Sequence, residues 1–203
     1  MLKIIISIFI VNLINKEAVA EIFYPFGVLN QDIKASKVDD ENIGPVRFNY
    51  ITSFQYFNNE YSSLYINPNG LISFDSKTLG YNGNGYSYPN NRFTAIAPFW
   101  SDINTGQCGD IYYRETTNLN TLSLISNDLN FRATWAFIVT YDRVCKYGPP
   151  YDGLTNSFQI VLHPMLTLLI RFIIMVNYHG TKIEVMHYIL QEMESDIQSY
   201  LGL

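Results

Sequence analysis

Charge is scarce in this chain. Asp, Glu, Lys and Arg make up 15% of its 203 residues, where a soluble protein usually carries about a quarter. That excludes a solvated tail and a coiled coil. The formal net charge of -5 excludes the basic footprint that nucleic acid rewards, so no nucleic-acid partner is expected. Histidine occurs three times, at His163, His179 and His187, all late in the chain and none beside a nucleophile motif. Cysteine occurs twice, at Cys108 and Cys145, with no CxxC spacing for zinc or redox chemistry. No N-x-[ST] triplet is present, so no N-linked glycan is expected. No cofactor and no metal site is expected.

Aromatic and apolar residues are plentiful. The chain is 48% apolar and carries 16 Tyr and 13 Phe, a composition that leans to strands. The length suits one domain with appendages. The most informative stretch is Ser62-Ser63-Leu64-Tyr65-Ile66-Asn67-Pro68-Asn69-Gly70-Leu71-Ile72-Ser73-Phe74. Leu64 and Ile66 share a face, and Ile72 and Phe74 repeat the spacing. Between them Asn67, Pro68 and Gly70 occupy the positions that a type I turn assigns to them. The stretch reads as a β-hairpin with one apolar face.

The N-terminus reads as a signal helix over residues 1–20. Lys3 precedes an apolar run over residues 4–13, and Ala18-Val19-Ala20 is a small-x-small cleavage signal. Cleavage after Ala20 sends the chain out of the cell. A retained anchor is the alternative, for which the run is short. In an oxidising compartment the two cysteines read as one disulfide.

Phe23-Tyr24-Pro25-Phe26-Gly27 reads as an extended edge piece. Residues 31–44 are polar, and their Asp39-Asp40-Glu41 run is either a solvated loop or a calcium loop. Residues 46–51 and 54–57 read as strands. The density of Gly, Asn and Pro over residues 80–91 forbids helix and strand. That loop carries Tyr81, Tyr86 and Tyr88, which either contact a ligand or cover the sheet end. Pro98 marks residues 96–103 as an edge strand or bulge, with Trp100 large enough to anchor a core. Ile111-Tyr112-Tyr113-Arg114-Glu115 resumes alternation. Residues 121–125 are a short helix or strand. Residues 131–141 alternate at strict period two, the best strand pattern in the chain. Residues 157–162 add another. Short strands joined by turns indicate an antiparallel β-sandwich with long loops, mainly β.

Six pieces then stand in one order: Phe23-Tyr24-Pro25-Phe26-Gly27; the hairpin from Leu64 to Phe74; Ile96-Ala97-Pro98-Phe99-Trp100-Ser101-Asp102; Ile111-Tyr112-Tyr113-Arg114-Glu115; Trp135 to Tyr141; and Asn156-Ser157-Phe158-Gln159-Ile160-Val161-Leu162. Over residues 21–162 they resemble the NIDO domain of nidogen, alpha-tectorin and membrane mucins. The resemblance implies a non-enzymatic extracellular module of cell–matrix adhesion, with matrix or cell-surface proteins as partners and no catalytic residues to carry over.

Residues 163–203 depart from that pattern. Residues 166–176 read as a buried strand rather than a membrane span, because Arg171 sits in the run and a central charge costs roughly 3 kcal/mol in a bilayer. A membrane contact is expected only if this run or the leader is retained as an anchor. Ile183, Met186, Leu190, Met193, Ile197 and Leu201 read as an atypical amphipathic C-terminal helix, which suggests a splice choice or frame change. Two other function classes draw on the acids. Asp75, Asp102, Asp110 and Asp142 offer carboxylates to a glycosidase-like pair, against which stands the ordinary use of Asp at strand ends. A calcium-dependent carbohydrate or protein binder uses the same groups.

Overall fold

The structure is a computed structural model that describes residues 5–9, 23–56, 59–74, 94–129, 132–149, 153–163, 167–175 and 183–191. The predicted hairpin forms between β6 (Ser63–Asn67) and β7 (Leu71–Ser73). Ile66 pairs with Ile72, and Tyr65 with Ser73. Leu64, Ile66, Ile72 and Phe74 all enter one buried cluster, as their shared spacing requires. β3 (Ile43–Arg47) and β8 (Ala95–Ile96) flank the hairpin and complete a four-stranded sheet in the order β3-β6-β7-β8. β4 (Phe54–Tyr56) and β5 (Asn59–Tyr61) form a separate two-stranded ribbon.

The larger sheet has seven strands in the order β1-β13-β12-β11-β10-β9-β2. They are β1 (Ile5–Phe9), β2 (Ile33–Lys34), β9 (Asp110–Thr116), β10 (Ala136–Val144), β11 (Thr155–Leu162), β12 (Thr167–Met175) and β13 (Ile183–Gln191). All its described pairings are antiparallel. Phe137, Val139 and Tyr141 of β10 and Phe158, Ile160 and Leu162 of β11 face the small sheet across the main core. This is the expected mainly β, antiparallel sandwich, with two inner faces interdigitating.

A third layer covers the other face. Helix α1 (Leu119–Leu129) packs Leu122 and Ile125 against Ala136, Ile138 and Val161. Its start is set by Asn118, whose side-chain oxygen accepts the N–H groups of Asn120 and Thr121 at 3.0 and 3.2 Å. That is an N-cap, and it decides for helix where residues 121–125 alone left helix and strand open. The aromatic piece at residues 23–27 also lies over this face, not along an edge. The Gln159 amide holds it, accepting the Tyr24 N–H at 3.0 Å and donating to the Tyr24 carbonyl at 3.1 Å. Arg114 and Asp32 form a buried ion pair at 2.6 Å, and Arg114 also donates to the Pro25 carbonyl at 2.8 Å.

Several expectations are corrected. Ile183–Gln191 is a strand, paired with β12 over nine positions, so the C-terminal helix is not what forms there; β-branched and aromatic residues joining an existing sheet edge outweigh the helical spacing. Residues 192–203 lie outside the described residues. Ile5–Phe9, within the expected leader helix, is likewise a strand, against β13. β10 begins at Ala136, not at residue 131, because the chain before it is tied to α1: Ala133 donates to the Ser126 hydroxyl at 2.9 Å. β3 ends at Arg47, because the N–H groups of Asn49 and Tyr50 go to the Glu115 carboxylate at 2.7 and 2.9 Å. Trp100 is only half-buried, and the core tryptophan is Trp135, 2% exposed. β12 is paired on both sides, with β11 and β13. No described helix is long and apolar enough to cross a membrane.

Candidate functional site

The hairpin turn is buried, which is unusual for a turn, since its polar backbone must then be satisfied internally. The Asn67 carbonyl accepts the Gly70 N–H at 3.1 Å, and the Asn67 side-chain oxygen accepts the Asn69 N–H at 2.8 Å. Asn69 in turn accepts from two neighbours: its carbonyl takes the Ser101 N–H at 3.1 Å and its side chain the Ile103 N–H at 2.7 Å. The Tyr141 hydroxyl reaches across from the large sheet and donates to the Asn67 carbonyl at 2.6 Å. Complete burial pushes that phenol far above its ordinary range, so it acts as a neutral donor. Gly70 has φ +91°, and a Cβ there would collide with the Phe99 carbonyl oxygen.

Three loops close around this turn. Tyr147 donates its N–H to the Asp102 carbonyl at 2.8 Å, and Asn104 to the Cys145 carbonyl at 3.2 Å. Val38 and Thr105 bond each other, the Thr105 hydroxyl accepting the Val38 N–H at 2.9 Å and donating to the Val38 carbonyl at 2.6 Å. Asp40 accepts the Asn69 amide at 2.8 Å, and Asn42 accepts that of Asn67 at 3.2 Å. Cys108 and Cys145 are joined in a disulfide with Cα atoms 5.7 Å apart, as the sequence predicted, and it fastens the same end of the sandwich.

This arrangement gathers acid. Burial raises the Asp102 carboxyl above its ordinary value, and the charges of Asp39 and Asp40 raise it further. Burial, then the charge of Asp40, does the same to Asp39, one of whose oxygens is buried without a hydrogen bond. Three carboxylates thus stand within electrostatic reach of one another, and Tyr147, bonded to the Asp102 carbonyl, is exposed. Among the described residues no group of three His, Cys, Asp or Glu side chains is placed to hold a metal ion.

The other candidate acids are used structurally. Asp110 and Asp142 are register partners on β9 and β10. Asp110 pairs with Lys34 and Lys37, both at 3.0 Å; burial works to raise its carboxyl, but the two lysines overcome this and hold it low. Asp142 pairs with Arg143 at 3.0 Å. Asp110 is therefore not poised as a proton donor. His163 is buried, and burial lowers its pKa. Tyr81, Tyr86, Tyr88, Asp75 and His179 lie outside the described residues. The sequence reading missed Asn67, Asn69 and Tyr141 as a hub, although a tyrosine on the apolar side of β10 was a signal that its hydroxyl needs a buried partner. It also missed an exposed apolar tip, where Leu29 is 99% exposed beside Val28 and Ile33.

A family model described as nidogen-like domain, NIDO, matches residues 62–198. The match opens on the hairpin and runs past Leu162, so it takes in β12 and β13, which the sequence reading had set apart. Alpha-tectorin from Homo sapiens is 34% identical over 150 residues, covering 70% of this chain, and the Gallus gallus protein is 35% identical over 147 residues, covering 68%. Nidogen-2 from Mus musculus is 30% identical over 155 residues, again covering 68%. The chain spans only 7% of the length of alpha-tectorin and 11% of nidogen-2. No solved structure matches. The relatives are extracellular matrix proteins rather than enzymes, and the chain is accordingly extracellular. Hairpin, sandwich and matched sequence agree that this chain belongs to the nidogen-like, or NIDO, domain family.

Proposed function

We propose that the chain is a secreted, non-enzymatic binding module of cell–matrix adhesion, with matrix or cell-surface proteins as its partners. The observation that carries this reading is membership of a family whose relatives are matrix proteins. The chemistry of the described acids supports it. Asp110 and Asp142, two of the acids offered for a glycosidase-like pair, are committed to ion pairs.

Tyr81, Tyr86 and Tyr88 are the proposed contact residues. Their loop leaves the small sheet after β7 and returns at β8. The test is binding of the purified chain to immobilised matrix proteins, for the natural chain and a variant with all three tyrosines changed to Ala. Binding that weakens by about tenfold or more, at unchanged circular dichroism, fits tyrosine anchors. No binding by the natural chain sinks the adhesion reading, and equal binding by both places the contact elsewhere. A calcium-dependent form of the reading would draw on Asp39, Asp40 and Asp102, and is separated from the first by whether calcium shifts melting.

A further inference from the structure

β13 has a strand on each side, β12 and β1. Its pairing with β1 is antiparallel, with Ile5 opposite Ile189, Ile6 opposite Tyr188, Ser7 opposite His187, Ile8 opposite Met186 and Phe9 opposite Val185. Those β1 residues belong to the segment that reads as a cleavable leader. They cannot be both removed with the leader and kept as the outer strand. Cleavage after Ala20 leaves the main-chain donors and acceptors along that side of β13 open. An open strand edge that carries no Asp, Glu, Lys or Arg from Val185 to Gln191 is a template for another strand.

The other described edges of the seven- and four-stranded sheets are guarded. β2 is two residues long, and its Lys34 is held by Asp110. β3 carries Pro45 and an irregularity between Ile43 and Val46, and β8 is two residues long. Short strands, proline, bulges and lysine are the usual protections of an edge. β13 has none of them between Val185 and Ile189.

The pattern of β1 says what fits there. On one face it presents register positions Ile5, Ser7 and Phe9, apolar, polar, apolar; on the other, Ile6 and Ile8. A second β13 laid antiparallel about His187 would present Val185, His187 and Ile189 on the first face and Met186 and Tyr188 on the second. Apolar replaces apolar and polar replaces polar at every position that β1 fills. The direction also agrees, because a twofold dimer built from one strand must pair it antiparallel to itself. We infer that the β13 edge vacated by Ile5–Phe9 is an interaction surface for a second copy of this chain, paired β13 to β13 about His187. The large sheet then runs unbroken through both copies.

This rests on removal of residues 1–20, and the test separates the two claims. The secreted chain is taken for mass spectrometry of its N-terminus and for light scattering on a sizing column. A chain starting at Glu21 is expected at twice the monomer mass. In that chain His187→Cys is expected to run as a covalent dimer on a non-reducing gel, since residue 187 is its own register partner. Directly opposed Cα atoms stand about 4.5–5.5 Å apart, within the reach of a disulfide. Glu184→Cys, whose counterpart would be Leu190, is expected to stay monomeric on the same gel. A chain starting at Glu21 that is monomeric and does not cross-link at 187 overturns the inference. Equal cross-linking at 184 and 187, or a dimer through 187 in a chain that keeps residues 1–20, overturns it as well. If the secreted chain retains its leader, the leader reading fails, and a chain produced from Glu21 decides the edge by the same two assays.

Discussion

Glu115 accepts the indole N–H of Trp135 at 2.7 Å. The same carboxylate takes the N–H of Tyr50 at 2.9 Å and, on its other oxygen, the N–H of Asn49 at 2.7 Å and the Asn49 amide at 3.2 Å. One acid at the end of β9 therefore ends β3, seats the core tryptophan and joins the two layers of the sandwich. Phe48 stands edge-on to Trp135, with ring centroids 5.5 Å apart, so loss of the carboxylate would be felt in the aromatic core.

Glu115→Gln tests that role. The amide keeps one acceptor oxygen and turns a donor NH2 toward N–H groups that need an acceptor. An unsatisfied donor costs roughly 1–3 kcal/mol. Urea unfolding is expected to lose stability in that range, with the Trp fluorescence transition moving together with the circular dichroism transition. No loss would mean that water replaces the carboxylate without cost.

Two glycines separate backbone strain from crowding. Gly70 and Gly148 both have positive φ, +91° and +82°. A Cβ on Gly148 meets nothing within 4 Å, whereas one on Gly70 runs into the Phe99 carbonyl. Gly148→Ala is expected to cost about 1–2 kcal/mol, the price of a left-handed L-residue. Gly70→Ala must cost clearly more, because the buried turn has to leave Phe99 as well. Equal costs in urea unfolding would show that the turn is not wedged.

The same glycine shows what the sequence could reveal. The turn chemistry of Asn67, Pro68 and Gly70 is local, so the hairpin was legible residue by residue. The period-two run through Tyr141 was equally legible as a strand. Its start was not, because Trp135 and Ala133 answer to Glu115 and to Ser126, partners chosen by tertiary packing. For the tail, helical spacing at Ile183, Met186 and Leu190 coexisted with β-branched and aromatic residues. Only the waiting edge of β12 decides between them, and no window of sequence contains it. Of the candidate site, the disulfide pairing followed from a count of cysteines. The meeting of Asp102 with Asp39 and Asp40 did not, since it depends on two loops brought together by Thr105 and Val38.

That meeting of acids has a sign that can be measured. The Asp102 carboxyl is raised above its ordinary value of 3.8. A raised acid contributes stability below its unfolded pKa, and that contribution is lost as pH rises through the folded pKa. At neutral pH the ionised Asp102 is therefore a burden on the folded state. Asp102→Asn is expected to melt above the natural chain at pH 7, with the two curves converging below pH 3.8. A lower melting point at pH 7 would reverse the assignment. Calcium is expected to leave the melting temperature of the natural chain unchanged, since among the described residues no three ligating side chains are placed for it. A rise on adding calcium that Asp102→Asn abolishes would favour the calcium-dependent reading.

The disulfide acts mainly on the unfolded chain. Cys108 and Cys145 stand 37 positions apart, yet in the folded state β9 and β10 already bring their neighbours Asp110 and Asp142 into register. Gly109, with φ +79°, sits so close that a Cβ would lie 2.5 Å from the Arg143 carbonyl oxygen. The native geometry is thus fixed by the ladder whether or not sulfur is bonded. What the bridge removes is the freedom of the unfolded loop, worth about 4 kcal/mol in the chain-entropy model. Replacing both cysteines with Ala is expected to cost about that much. It should also steepen the urea dependence, because an uncrossed chain exposes more surface on unfolding. Both changes together support an entropic role. A loss of stability with an unchanged slope would mean that the bridge holds the folded loops instead, and the three-loop end should then lose its hydrogen-exchange protection first.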